Sequence, residues 1–212
     1  MNSFFKVLGL QAAAENFDLT LYIINNRDGS PRWLWNSENA QPDVLKFYAA
    51  SNVKARLFRL IIQCVFKAKL QSLVFRKHQV NVKIDQAHDL ASFLNEDFAL
   101  FTGTPGPNRK LILYTKQQFI KIALTDTSQQ LIENEKLQLQ IKSGKHYQIP
   151  AIRFSKSGVL GISDISNGGR RLGSFTKIHA QALAELSGLH ERTRLQLKNS
   201  SVYNEITKNS KQ

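Results

Sequence analysis

Cysteine is nearly absent from this chain of 212 residues: the single Cys64 excludes a disulfide framework within the molecule. With five scattered histidines it supplies no Cys/His spacing of the kind that holds zinc. Cys64 lies in an apolar run and is expected to be a small buried hydrophobe, compatible with a reducing cytosol. Long apolar runs are missing too, since none reaches the length of a membrane span, and the start lacks the basic-then-apolar order of a secretory signal. The expectation is a protein in the cytoplasm or peripheral to a membrane. There is no fixed-period repeat and no basic-aromatic RNA-binding signature, which makes nucleic acid an unlikely partner.

Acidic residues are also scarce, at 16 Asp and Glu against 29 Lys and Arg, for a net charge of +13. Such a charge attracts polyanions: nucleotides, nucleic acid or acidic membranes. The imbalance is concentrated between Lys46 and Lys83, where nine basic residues occur without one Asp or Glu, Asp43 and Asp85 being the flanking acids.

Before that stretch, 19–24 and 31–35 are β-rich runs around a turn signal of Asn, Asp and Gly at 25–30, which predicts a hairpin with Trp33 and Trp35 on one face, as core packing or as a binding surface. Pro42-Asp43 opens a short helical turn through Phe47-Tyr48. Ser51-Asn52 caps a helix from Val53 to about Leu70, with Val53, Leu57, Leu60, Ile61, Cys64, Val65 and Ala68 on one stripe and Arg56, Arg59 and Lys67 broadly opposite. Phe58, Ile62 and Phe66 widen the stripe. The helix reads either as docked with a solvated basic face or as lying on an anionic membrane surface. Strands are predicted at 72–75 and 80–84, with His78 and His88 as ordinary surface or turn residues.

The most informative stretch runs from Phe98 to Ile141. Phe98-Ala-Leu-Phe-Thr102 is a strand, broken at Gly103-Thr-Pro-Gly106-Pro-Asn108 by turn residues. A second strand follows over 110–115 and a third over 117–124, in which Lys121 sits between Ile120 and Ile122. Alternation along a strand sends that lysine to the face opposite both isoleucines, where it needs an anionic partner. Asp126-Thr-Ser128 offers caps to a helix through Leu131, Ile132, Glu135 and Leu139. Glu135, fourteen residues after the lysine, is placed to turn back and hold its ammonium.

The order strand, glycine turn, strand, Lys-bearing strand, Glu-bearing helix resembles the small lobe of the protein-kinase-like fold. The wording Phe119-Ile-Lys-Ile-Ala123, Leu131-Ile-Glu-Asn-Glu135 and Ile149-Pro150 is most similar to the aminoglycoside phosphotransferase branch. The resemblance implies that Lys121 contacts the α- and β-phosphates of ATP, that Glu135 orients it, and that the turn with Gly103, Gly106 and Asn108 covers the phosphates. The turn departs from the G-x-G-x-x-G of eukaryotic kinases. Strands at 151–154 and 159–162 bring the sheet to five, and the connector after them is by resemblance the hinge, whose backbone at Asp164 to Ser166 meets adenine.

Helix signals resume at Ser174, with Phe175, Ile178, Ala182, Leu186 and Leu189 on one face. Neither His179 nor His190 is followed by the Gly-Asp or Arg-Asp of a kinase catalytic loop, no Asp-Phe-Gly follows, and Asp164 is the last aspartate. Mg²⁺ ligands and the acceptor-positioning group belong to the large lobe of such enzymes, so the expectation is the ATP-binding portion of a small-molecule phosphotransferase, not catalytic alone: a fragment of a longer enzyme, a truncated product, or a small lobe reused without catalysis. Its acceptor, a sugar, aminoglycoside, choline-like alcohol or lipid-linked glycan, stays open. The alternative is a non-catalytic module that meets an anionic membrane or protein partner through the basic helix. The expected fold is α+β: an extension over 1–85 (hairpin, helix, strands), a five-stranded antiparallel small lobe with one inserted helix over 86–166, a hinge and helix over 167–198, and a polar tail over 199–212.

Overall fold

A computed structural model describes residues 2–26, 28–36, 43–48, 52–70, 78–141, 143–166 and 176–189. The predicted strand at 72–75, the rest of the hinge at 167–169, Ser174, Phe175, His190 and the polar tail lie outside the described residues.

The β-favouring runs form β1 (Leu10–Ala12), β2 (Leu19–Asn25), β3 (Pro31–Trp35), β4 (His78–Ile84), β5 (Phe98–Phe101), β6 (Lys110–Thr115), β7 (Gln118–Ala123), β8 (Ile152–Lys156) and β9 (Val159–Ser163). Helices are α1 (Asn2–Val7), α2 (Val53–Lys67), α3 (Ala91–Leu94), α4 (Asp126–Gln138) and α5 (Lys177–Leu189), and Asp43–Phe47 is a 3₁₀ turn. The fold class is α+β, as expected. The strands make one antiparallel sheet in the order β1-β4-β2-β3-β5-β6-β7-β9-β8, which corrects the expected five strands to nine. The cause is edge pairing: β3 runs antiparallel to β5, Leu34 opposite Leu100, so the early hairpin and β4 extend the later sheet.

Each face of the sheet has its own core. Leu21, Ile23, Leu34, Leu100, Leu113, Ile120 and Ile122 pack with Phe5 of α1, with Leu8 just after it and with Leu94 of α3. On the other face Tyr22, Trp33, Trp35 and Ala99 pack against Val44 and Leu45 of the 3₁₀ turn and Ile62 and Phe66 of α2. The two tryptophans are therefore core. The face of α2 that docks corrects the sequence reading: Ile62, Val65 and Phe66 are buried, whereas Val53, Leu57, Leu60 and Ile61 are exposed. Cys64 is exposed as well, not buried, because the sheet offers room for one face of the helix and the bulkier aromatic side takes it.

By contacts the chain divides into two units, Met1–Gln138 with Ala151–Asp164, and Leu139–Pro150 with Ile165–Gln212. The first contains the whole sheet. The described part of the second contains α5 and a hydrogen-bonded contact between the His146 ring and the Glu185 carboxylate, which holds that carboxyl below its usual range.

Candidate functional site

Ile120 and Ile122 are buried in the first core, so Lys121 between them projects from the opposite face, where its cross-strand neighbours are Ile112 and Leu160. Its side chain is 16% exposed, which makes an unpaired ammonium costly there. Glu135 supplies the partner: Lys121 Nζ donates to its Oε1. Lys110 Nζ lies 3.8 Å from Oε2 of the same carboxylate, giving two cations around one anion. Ile132, buried and one turn back along α4, anchors the helix face that carries Glu135. Glu133 faces elsewhere and pairs with Lys136 at 3.7 Å.

The start of α4 is tied to the glycine turn. Thr125 is the cap, one residue before the predicted Asp126: its Oγ1 accepts from Ser128 N–H at 3.1 Å and its hydroxyl donates to the Pro107 carbonyl. Ser128 Oγ accepts in turn from the Leu124 and Thr125 N–H groups, both at 3.0 Å. Gly103 has φ +75°, and a Cβ there would stand 2.4 Å from the Lys110 carbonyl oxygen, so only glycine fits this corner. Gly106, at φ +145°, opens on free space, and Asn108 is exposed. Beneath the turn lies a cleft of about 390 Å³ lined by Phe101, 103–108, Lys110 and Ile112. Ile112 is the cross-strand neighbour of Lys121, so cleft and ammonium adjoin.

Asp164 follows β9 at the end of the same face. Its backbone N–H donates to the Gln117 carbonyl at 2.8 Å, and its side chain is 1% exposed. The carboxylate accepts from Lys46 Nζ and from the Tyr114 hydroxyl, each at 2.9 Å, while Lys46 also lies over the Tyr114 ring. Burial pushes the Tyr114 hydroxyl well above its ordinary pKa, and its bond to Asp164 and the charges of Asp164 and Asp43 add to the shift. Asp43 itself is raised, burial outweighing the nearby Lys46. Ser166, exposed, belongs to the second unit, so the sequence-predicted residues are together for Lys121, Glu135, the turn and Asp164 within the first unit only.

Between Asp164 and Lys121 the face is covered. Phe119, two residues before the lysine, packs on Tyr114 at 4.9 Å between ring centroids, and Phe47 of the 3₁₀ turn packs on Phe119 at 6.2 Å and on Phe101 at 6.1 Å. Sequence reasoning missed Lys46, Phe47, Tyr114 and Lys110. Lys46 meets Asp164 across 118 residues, a separation that leaves no local signal, whereas Lys110, at the start of a strand paired in register with that of Lys121, was open to notice.

Compared with protein-family models, with curated proteins and with solved structures, the chain matches none.

Proposed function

We propose that residues 98–164 are a nucleotide-binding element of the kinase-like small-lobe type, in which Lys121, steered by Glu135, receives the phosphates of ATP. The observation that carries this reading is the Lys121–Glu135 pair on one sheet face, with Lys110 beside it and the glycine-turn cleft adjoining. A fixed, partly desolvated ammonium at a cleft mouth is suited to a polyphosphate, and Glu135 keeps the lysine from collapsing onto the sheet. The strand order β5-β6-β7-β9-β8 with α4 inserted after the Lys-bearing strand agrees with the resemblance.

The base would lie between Lys121 and the connector at Asp164, over Phe119. Phe47 stands there, so the element binds nucleotide weakly until that ring is displaced. Among the described residues no group of three His, Cys, Asp or Glu side chains gathers to hold a metal, and no aspartate follows Asp164. The proposed role of residues 98–164 is nucleotide binding; in enzymes of the resembled type the Mg²⁺ ligands and the acceptor-positioning group come from the large lobe.

The test is a titration with ATP at low and high salt, for the wild type and Lys121→Ala, with thermal melts confirming that both are folded. Weak ATP binding that survives high salt and is lost in Lys121→Ala is expected. Binding that disappears with salt, or that persists in the variant, would reduce the affinity to the surface charge of the molecule.

A further inference from the structure

Helix α2 has two apolar sides, and only one is used. At about 100° per residue, Ile62, Val65 and Phe66 fall on the side turned to the sheet. Val53, Leu57, Leu60, Ile61 and Cys64 fall on the opposite side, with Val53 78%, Leu57 59%, Leu60 57% and Ile61 47% exposed. Four large aliphatic side chains in one row are more than the isolated apolar residues usual on a protein surface, and each is left in water at a cost of hydrophobic free energy.

The charged side chains of α2 are all basic. Arg56 and Lys67 lie along one edge of the outer stripe and Lys54 along the other, and no acidic residue occurs between Lys46 and Lys83. The expectation placed Arg56, Arg59 and Lys67 broadly opposite the stripe; on the helix Arg56 and Lys67 flank it instead, and Arg59 falls toward the docked side. A narrow apolar row bordered by long cationic side chains matches a surface that is apolar inside and anionic outside, since the aliphatic residues can enter the acyl boundary while the cations reach up to headgroups. Ile62, Val65 and Phe66 fix the C-terminal half of the helix to the first unit. Among the described residues no helix is long and apolar enough to cross a membrane, so this geometry is one of lying on the surface.

We propose that the outer face of α2 is a docking surface for an anionic lipid bilayer. It is independent of the nucleotide reading, because none of its residues belongs to that site. The single cysteine lies within the stripe and exposed, so an environment-sensitive fluorophore on Cys64 of the full chain reports insertion at one known place. Vesicles of phosphatidylcholine alone and vesicles rich in phosphatidylserine are the probes, with co-flotation of unlabelled protein as a second measurement. Leu57→Ser/Leu60→Ser removes apolar contact, and Arg56→Gln/Lys67→Gln removes charge; all four positions avoid the docked side.

The expected result is co-flotation with the anionic vesicles, with a blue-shifted Cys64 probe shielded from an aqueous quencher. The serine pair should weaken binding by about tenfold or more, and the glutamine pair should weaken it on anionic vesicles by a similar factor. Three results would overturn the proposal. The wild type fails to float with either vesicle; the serine pair binds as well as the wild type; or the protein is a dimer in solution that the serine pair dissociates, with no vesicle binding, which assigns the stripe to a second copy of the chain.

Discussion

Tyr114 shows how a single residue reports on the buried end of the candidate site. Its hydroxyl donates to Asp164 Oδ2, which also takes Lys46, so the group is held protonated by burial and by two carboxylates. A pKa raised in the folded state contributes stability that is complete below the unfolded value of 10.0 and is lost as pH rises above it, because the unfolded tyrosine then ionises and the folded one resists. An absorbance titration of the tyrosines should therefore contain one that ionises late or only with unfolding, and Tyr114→Phe should remove it. A complete ordinary titration of all five in the folded protein would contradict the buried network. At this scale the Lys121–Glu135 pair was legible, because strand alternation and a helix one loop later leave few places for the lysine to go. The choice of Glu135 over Glu133 was legible as well, from the periodicity that puts Glu135 on the face of Ile132. The Lys46–Asp164 contact was not, since nothing in either local sequence refers to a residue 118 positions away.

Among the elements, the β6–β7 hairpin carries a local conflict. Its two turn residues, Lys116 and Gln117, both have positive φ, at 48° and 57°, where Asn-Gly is the favoured pair. Gln117→Gly relieves one left-handed side chain while keeping the backbone carbonyl that accepts from Asp164 N–H, and should raise stability by about 0.5 kcal/mol in denaturant unfolding. An equal loss instead would mean that the unfolded-state entropy of glycine outweighs the strain. Helix α2 gives the opposite lesson about legibility. Its bounds and Asn52 cap, whose Oδ1 accepts from Ala55 N–H at 2.8 Å, follow from sequence. Its docked face did not, because a helix with apolar residues on two sides has two candidate faces, and only the shape of the Trp33–Trp35 surface selects the one with Phe66, which packs on Trp35 at 5.9 Å. The short α1, β1 and α3 escaped notice for a simpler reason: three to six residues give too little periodicity to separate strand or helix from loop.

For the whole molecule, the sheet face to which alternation sends Lys121 is also the face on which the 3₁₀ turn packs. Val44 and Leu45 are buried against the tryptophan face, and this anchors Phe47 over Phe119 between the lysine and Asp164. A ring deletion tests the proposal that this covered face is a nucleotide site without removing the anchors. Phe47→Ala and Phe47→Ala/Lys121→Ala are titrated with ATP and GTP at high salt beside the wild type. Phe47→Ala is expected to bind ATP about tenfold more tightly than the wild type and in preference to GTP, and the second substitution to abolish the gain. Unchanged affinity on removing Phe47, or a gain that Lys121→Ala leaves intact, would contradict the proposal.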